Sequence, residues 1–524
     1  MIKKSDPRKD SGTLLALVAC IVGGVLRLYA AFFAGFPIND GGLFLNMIAA
    51  IQENGYRLPE FVSYNGLAIP FAYPPLGFYL ASLVQAITGA PLVEVLRWFP
   101  AVIATITIYA VFVLAEQLLD SRLEAGIAAL FYALLPRATT WFIMGGGITR
   151  SLGQLFLITT LYFLYRLFST GERKYIWFSI LSSSLVCLTH PEATLHTLGI
   201  AALLWLLKGR DRKSSFQAIA VAIGTLALTA AWWVPVLIHH GLSPYLSAAS
   251  TGLHDPLFFL YFFIIPFSDE PHLTFIIVFA ILGLAISIAK RKFLLPLFYL
   301  IPFFIEPRNA ANVSAIPMAM LASVALNQMI LVRLEDIGRS LPGADPKSRL
   351  PCLTSRLLLG YLFLALFIGM LHFLVQLADK RVTDENLRAF DWITKNTPAD
   401  SQFLVLTGKT DLFGDWTTEW FPTLTHRISK TTIQGREWTD AEAFVAHTRL
   451  FQDLQACLFA FEPLMCVQAN SRESNLEYEY IYIAQKTMRS EKHVLGSELI
   501  LELAASDDYQ LVYEANEVAI FRSP

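Results

Sequence analysis

Charge is what this chain has least of. Only 16% of its 524 residues are Asp, Glu, Lys or Arg, against about 25% in a soluble globular protein. Hydrophobic residues make up 55%, and the mean hydropathy is +0.51. The shortage excludes a soluble protein and predicts a polytopic α-helical membrane protein. Cysteine is also scarce, at five residues, which excludes a disulfide framework. Cys20 and Cys187 fall in apolar runs and Cys352 in a basic loop. Cys457 and Cys466 pair only if their segment faces an oxidising compartment. No small-residue cleavage site follows the first apolar run at 13–33, so no cleavable signal peptide is expected. No internal repeat is evident. The net charge of −2 hides a segregation of the two signs, and no nucleic-acid partner is expected.

Long apolar runs are what is there. About 20 apolar residues cross ~30 Å of hydrocarbon as a helix. Eleven runs approach that length: 12–34, 98–118, 123–143, 150–168, 175–189, 194–207, 216–238, 273–289, 293–305, 311–332 and 356–376. The shorter ones fit helices buried in a bundle or ending at a cavity. With the N-terminus inside, twenty Lys and Arg fall in inside loops and five in outside loops of residues 1–376. That bias is the positive-inside pattern of a cell-membrane protein with a cytoplasmic N-terminus. Residues 70–88 are a twelfth apolar stretch. A full crossing there would invert every later loop, so 74–88 reads as a helix on or dipping into the outer surface, with Tyr73, Phe78 and Tyr79 at the interface.

Residues 1–376 therefore form the membrane domain, with two large outer loops. One, 36–97, carries surface helices. The other, 239–272, is aromatic and holds no Lys or Arg; it suggests a surface helix at 255–265. The inside loop 333–355 reads as a linker. Beyond 376 the composition turns polar, and 379–524 reads as a soluble α/β domain on the extracytoplasmic side. Helices are expected at 384–396, 439–457 and near 495–505, the second opened by a Thr439–Glu442 capping box. Strands are expected at 402–407, 478–484, 509–514 and 517–522, the last two around an Ala515-Asn516 turn.

Polar residues gather at the outer ends of the spans, so the working face is outside. Asp40, among glycines after the first span, is either a functional acid or the cap of the helix starting at Gly41 or Gly42. Met144-Gly-Gly-Gly-Ile-Thr-Arg150 is either an anion site, with free amides, a helix dipole and a guanidinium, or a tight hairpin with Arg150 reaching the interface. Arg308, in Glu306-Pro-Arg-Asn, is either a second phosphate ligand or half of a capped turn. His190, Glu192 and His196 form either a buried polar network or part of a metal site. With Asp40, His190 and Glu192 could hold a divalent cation, Mg²⁺, Mn²⁺ or Zn²⁺.

Four stretches carry a family resemblance. They are Asp40-Gly-Gly-Leu-Phe-Leu-Asn-Met-Ile-Ala-Ala-Ile with Asn54-Gly55, Tyr73-Pro-Pro-Leu-Gly-Phe-Tyr-Leu80, Arg97-Trp-Phe-Pro100, and Gly146-Gly-Ile-Thr-Arg-Ser151. Together with the topology they resemble the GT-C superfamily of membrane glycosyltransferases. The nearer likeness is to the aminoarabinose transferase and protein O-mannosyltransferase branch, the more distant one to the oligosaccharyltransferase catalytic subunit. The resemblance covers about 12–332 and leaves the C-terminal domain unmatched. First loops of that superfamily often carry two adjacent acids, whereas Asn39 precedes Asp40 here, and uncharged Ala72-Tyr73 precedes Pro74-Pro75. The resemblance implies transfer of a sugar from a polyprenyl-phosphate carrier, on the outer leaflet, to a hydroxyl of a glycolipid, polysaccharide or protein. It implies Asp40 as general base, Arg150 and Arg308 at the donor phosphate, and Tyr73, His190, Glu192 and His196 in the substrate pocket. The rival class is a transporter or lipid-linked-sugar flippase, which would show a repeat and charge at mid-membrane; the sequence shows neither.

Overall fold

A computed structural model describes residues 7–251, 275–333, 350–484, 486–487 and 494–523. The membrane part is a bundle. Helix α1 (Pro7–Ala34) leads into a loop built from α2 (Gly42–Glu53), strands β1 (Phe61–Tyr64) and β2 (Leu67–Pro70), and α3 (Leu76–Thr88). Then follow α4 (Leu92–Leu119), α5 (Arg122–Leu134), α6 (Gly147–Thr170), α7 (Lys174–Cys187), α8 (Pro191–Lys208), α9 (Arg212–His240) and the short α10 (Ser243–Ser250). Helices α11 (Phe275–Ala289), α12 (Leu294–Ile305), α13 (Pro307–Ala325) and α14 (Leu350–Ala378) complete it.

Each of the eleven apolar runs is thus helical over at least part of its length; that at 123–143 is an α-helix only to Leu134 and continues as two short 3₁₀ turns. Among the described residues, six helical stretches are long and apolar enough to cross a membrane: 11–34, 92–119, 147–170, 212–240, 307–331 and 357–378. The helices in the other runs are shorter. The surface helix expected at 255–265 lies outside the described residues, as does most of the 333–355 linker.

Local chemistry explains the bundle's joints. Ser121 caps α5 and Asp211 caps α9 through their side-chain oxygens, and α8 starts on a proline, whose missing N–H costs nothing there. Helices α1 and α5 cross at Gly12 and Gly126, where an added Cβ would lie 2.2 Å from the Arg122 carbonyl oxygen or 2.4 Å from that of Gly12. Small residues let the two backbones approach. Arg27, inside α1 and fully buried, donates to the carbonyls of Gly23 and Ala133 at 3.1 Å and of Ala138 at 3.4 Å. It ties α1 to the broken backbone that follows α5, so this charge deep in a span is structural.

The first outer loop holds a hairpin that the sequence reading missed. Phe61–Tyr64 alternates exposed and buried, and its turn is Asn65-Gly66, both at positive φ. That dipeptide is a strong hairpin signal.

The C-terminal sheet domain comprises α15 (Asp384–Asn396), β3 (Gln402–Leu406), α16 (Trp416–Thr425), β4 (Ile428–Ser429), α17 (Ala441–Ala456), α18 (Pro463–Glu473), β5 (Tyr480–Ala484), a small β6–β7 pair (Lys486–Thr487, Val494–Leu495), α19 (Ser497–Ala505), β8 (Gln510–Ala515) and β9 (Val518–Arg522). The strand order is β4-β3-β5-β9-β8. The first three strands run parallel, and β9 runs antiparallel to both its neighbours. Two local expectations are corrected. Asp440, not Thr439, caps α17, accepting from Glu442 and Ala443; the Thr439 hydroxyl donates to the Arg436 carbonyl instead. The hairpin turn is Asn516-Glu517, one residue later than expected.

The strand period of two sorts this sheet into two faces. Leu404, Leu406, Ile481, Ile483, Ala519 and Phe521 point into a core closed by Leu454, Leu458, Leu499 and Leu503. Phe403, Val405, Tyr480, Tyr482, Val518 and Ile520 point the other way. There they share one core with Met47, Ile51, Tyr64, Ile69, Phe71 and Phe78 of the first outer loop. The sheet and the loop bury each other.

Candidate active site

The site assembles where three segments far apart in sequence meet. Asp40 ends the extended chain after α1. Its neighbour Ile38 accepts from Gly145 N at 2.9 Å, which zips this chain to the glycine turn before α6. Asp40 Oδ1 accepts from Gly146 N at 2.9 Å, and Arg150 Nη2 donates to Oδ2 at 2.6 Å. The glycines are required by contact. A Cβ on Gly145 would lie 1.9 Å from the Asp40 carbonyl oxygen, and one on Gly146 would lie 2.6 Å from Asp40 Oδ2.

Asp40 therefore does not cap its own helix. It caps α6, and the glycine turn, expected to offer its amides to an outside anion, gives the Gly146 amide to Asp40. What is left for a ligand is Arg150, one turn further on. Its guanidinium stands 5.2 Å over the Trp141 ring and leaves Nη1 without a protein partner.

Tyr73 lies beside them. Its hydroxyl shares a hydrogen bond of 3.1 Å with Thr149 Oγ1. Its ring is walled by Phe44, Phe78, His190 and Trp438 at centroid distances of 5.2 to 6.5 Å. Burial pushes the phenol well above its ordinary range, so it stays protonated. His190 caps α8, its Nδ1 accepting from Ala193 N at 3.3 Å. Glu192, in the first turn of α8, faces Arg308 at 3.7 Å. Arg150 and Arg308 both lie within electrostatic reach of Tyr73.

His196 is not brought to this site. It is fully buried further along α8, with Nε2 2.9 Å from the Glu306 carbonyl oxygen. Glu306 in turn caps α13 by accepting from Arg308 N and Asn309 N. His196 thereby fixes the turn that presents Arg308. Nor is the suggested metal set of Asp40, His190 and Glu192 assembled. Among the described residues no three His, Cys, Asp or Glu side chains converge on one point. Asp40 is committed to an amide and a guanidinium, Glu192 to Arg308, and His190 Nδ1 to its own helix, so these donors do not fit a shared cation.

The C-terminal domain supplies what the first loop lacks. Glu419 of α16 accepts from Gly41 N at 2.8 Å and Gly42 N at 3.2 Å through one oxygen, capping α2. The acid missing beside Asp40 arrives from 378 residues away. Burial pushes its carboxyl up to about 8, and the Asp40 charge pushes the same way; the two amides and Arg150 pull back. Around it, Trp420 Nε1 donates to Asn39 O at 2.9 Å, and Asn39 Nδ2 donates to Phe413 O at 2.9 Å. Asn39 sits at φ 56, a left-handed conformation that Asn tolerates better than most residues.

The loops that leave the carboxyl ends of β3 and β4 both face the site. In parallel sheets, ligands bind outside those ends. From the first loop the Phe413 ring packs 4.8 Å from the Arg308 guanidinium. From the second, Trp438 packs on Tyr73 and Glu437 lies within electrostatic reach of Arg308. Sequence reasoning missed Glu419, Phe413, Glu437 and Trp438. Pairing across hundreds of residues leaves no local signal, although an acid in an otherwise apolar, aromatic helix (Trp416-Thr-Thr-Glu-Trp-Phe) was a hint.

Comparison with known proteins decides the fold. Residues 72–239 match the family model described as Dolichyl-phosphate-mannose-protein mannosyltransferase. The archaeal oligosaccharyltransferase AglB from Archaeoglobus fulgidus, solved with an inhibitory peptide and a dolichol-phosphate, superposes with TM-score 0.52 at 14% identity. That match covers 90% of this chain and 69% of AglB. ArnT from Cupriavidus metallidurans, bound to undecaprenyl phosphate, gives TM-score 0.53 at 12% identity and covers 97% of both chains. The fold is that of the GT-C membrane glycosyltransferases. The mycobacterial arabinofuranosyltransferase AftD adds TM-score 0.55 at 16% identity, over 97% of this chain and 40% of AftD. The GT-C likeness thus extends into the C-terminal domain, which lies outside the residues that the family model matches. No curated protein matches the chain by sequence.

Proposed function

We propose that this GT-C protein is an integral membrane glycosyltransferase. In this reading it moves a sugar from a polyprenyl-phosphate donor to a hydroxyl of a glycolipid, polysaccharide or protein. The observation that carries the proposal is the juxtaposition of one carboxylate, Asp40, with two guanidiniums, Arg150 and Arg308, at the mouth of an apolar bundle. An anionic leaving group between the guanidiniums and an acceptor hydroxyl at Asp40 fit that arrangement.

The chemistry is a single displacement. Asp40 takes the proton of the acceptor hydroxyl as its oxygen attacks the anomeric carbon. The bond from that carbon to the phosphate oxygen breaks, and the polyprenyl phosphate departs with the electron pair. Arg150, through its unpartnered Nη1, and Arg308, stiffened by Glu192 and Phe413, meet the charge that develops there. Attack opposite the leaving group inverts the anomeric centre. Tyr73, His190, Trp438 and Phe413 wall the sugar, and the C-terminal domain contributes to acceptor binding.

The reading places residues 1–376 in the membrane, and 379–524 on the extracytoplasmic face. The charge bias of the loops supports that placement, and so does the Cys457–Cys466 disulfide, since such bonds persist in oxidising compartments. The test uses purified protein in nanodiscs with a panel of polyprenyl-phosphate sugars, with and without EDTA and Mn²⁺. Release of polyprenyl phosphate, lost in Asp40→Asn, is the expected result. Binding of no lipid-linked sugar would overturn the proposal.

A further inference from the structure

Two cations and a histidine stand together just beyond the transfer centre. Lys430 and Arg436 lie in the loop after β4, and His447 lies on α17, which packs on that loop. Arg436 and Lys430 both repel a charge on His447, and Arg436 repels one on Lys430. Burial pushes His447 down to about 4 and its two neighbours push the same way, while a hydrogen bond with the Thr432 backbone pulls back. Among the described residues neither Lys430 nor Arg436 forms an ion pair, and Glu477 acts on Lys430 more weakly than Arg436 does. Glu437 adjoins Arg436 in sequence but acts on Arg308 instead.

The polar atoms here are orphaned as well. Arg436 Nε, His447 Nε2 and Thr448 Oγ1 are enclosed without a partner, as are the acceptor atoms Gln434 Oε1 and Glu437 Oε2 of the same loop. Helix α10 covers the junction, packing on both the Arg436–Trp438 turn and α17, and the buried Ser247 hydroxyl on it is also unpartnered. Each buried orphan calls for an explanation, and crowding like charges without a counter-ion is costly.

The cluster is held rigidly. Lys430 N donates to Phe403 O at 2.8 Å, Thr431 Oγ1 to Val405 O at 2.7 Å and Thr432 Oγ1 to Thr418 O at 2.5 Å. Gly435, at φ 90, lies so close to the first-loop hairpin that a Cβ would meet Ile69 at 2.2 Å. A loop fixed this firmly presents its cations at a set place, and two residues past Arg436 it reaches Tyr73 through Trp438.

We propose that Lys430, Arg436 and His447 form a subsite for an oxyanion, phosphate or carboxylate, carried by the acceptor. The inference rests on the transferase reading and names its second substrate class. The donor phosphate already has Arg150 and Arg308, so a second cationic pocket beside the same centre serves the other reactant. A charge-assisted hydrogen bond to an oxyanion would satisfy Arg436 Nε and relieve the repulsion between Arg436 and Lys430.

The test is thermal unfolding of the full chain in phosphatidylcholine nanodiscs with inorganic phosphate, against chloride at equal ionic strength. Phosphate at about tenfold its Kd is expected to raise the midpoint by roughly 2–4 °C. The rise should vanish in the double variant K430Q/R436Q and persist in R308Q. If the double variant does not fold, His447→Gln is expected to show the same loss. No rise in the unaltered protein overturns the proposal, and so does a rise lost only in R308Q, which would place phosphate at the donor centre. Nanodiscs containing phosphatidylglycerol separate the sources. If that lipid alone gives the rise and phosphate adds nothing, the oxyanion is a lipid headgroup and the acceptor assignment falls. The readout is binding, so failure of the transferase reading shows separately, as no release of polyprenyl phosphate from any lipid-linked sugar.

Discussion

Asp40 has two oxygens and two partners. Gly146 N holds one oxygen and Arg150 the other, which fixes the carboxylate. Asp40→Asn keeps an oxygen for the Gly146 amide but turns an NH₂ toward Arg150 and removes the proposed base. Initial-rate assays of polyprenyl phosphate release should show a fall of about 10²–10⁴-fold, the usual range for a lost general base, with the unfolding midpoint little changed. Gly146→Ala probes the same contact from the other side. Its Cβ would lie 2.6 Å from Asp40 Oδ2, so the carboxylate must move, and a 1 Å misplacement can cost about 10²-fold. Arg308→Gln leaves Asp40 in place and removes one positive charge from the leaving group. The expected loss in kcat/KM is on the order of 10²-fold, measured by titrating the lipid-linked donor.

Helices α2 and α16 act as one unit. Glu419 caps α2, the Tyr64 hydroxyl donates to the Glu419 carbonyl oxygen at 2.6 Å, and a Cβ on Gly42 would strike that same oxygen at 2.7 Å. Glu419→Ala strands the two buried amides, at a cost of about 1–3 kcal/mol, and loosens the backbone that carries Asp40. Glu419→Gln keeps an acceptor oxygen and should retain most activity, so the ratio of the two variants' rates measures the cap itself. The carboxyl is raised from 4.5 to about 8 by burial and by Asp40. The unfolded chain therefore releases this proton at lower pH than the folded one. Its contribution to stability is complete below about 4.5, is lost as pH rises, and stays lost above about 8. Unfolding midpoints between pH 5 and 8 should slope downward, and Glu419→Gln should flatten the slope.

For the whole molecule, the sheet domain is part of the candidate site. It shares a core with the first outer loop and sends Glu419, Phe413 and Trp438 into the site. The Cys457–Cys466 bond lies on the far side of the sheet, against the core closed by Leu454 and Leu458. With the domain extracytoplasmic, a membrane-impermeant maleimide applied to intact cells should label these two cysteines only after an impermeant reductant. Labelling that requires permeabilised cells would place the domain inside.

The sequence by itself determined the class and the parts. Apolar runs, the positive-inside bias, the short apolar stretch Gln402–Leu406 and the Tyr-Ile alternation of Tyr480–Ala484 are local patterns set by solvent and backbone geometry. A single chain therefore displays them, and the helices and strands formed close to where they pointed. Asp40, Arg150 and Arg308 stood out as candidates because charge is rare at the edge of an apolar bundle. The tertiary structure alone decided which side chain serves which backbone. Asp40 caps α6 and not α2, Glu419 stands in for a missing neighbour, and His196 supports Arg308 from beneath. A side chain reaches only a few ångströms, so its partner is set by which segments pack together. Contacts across 106 and 378 residues leave no trace in the spacing of either segment.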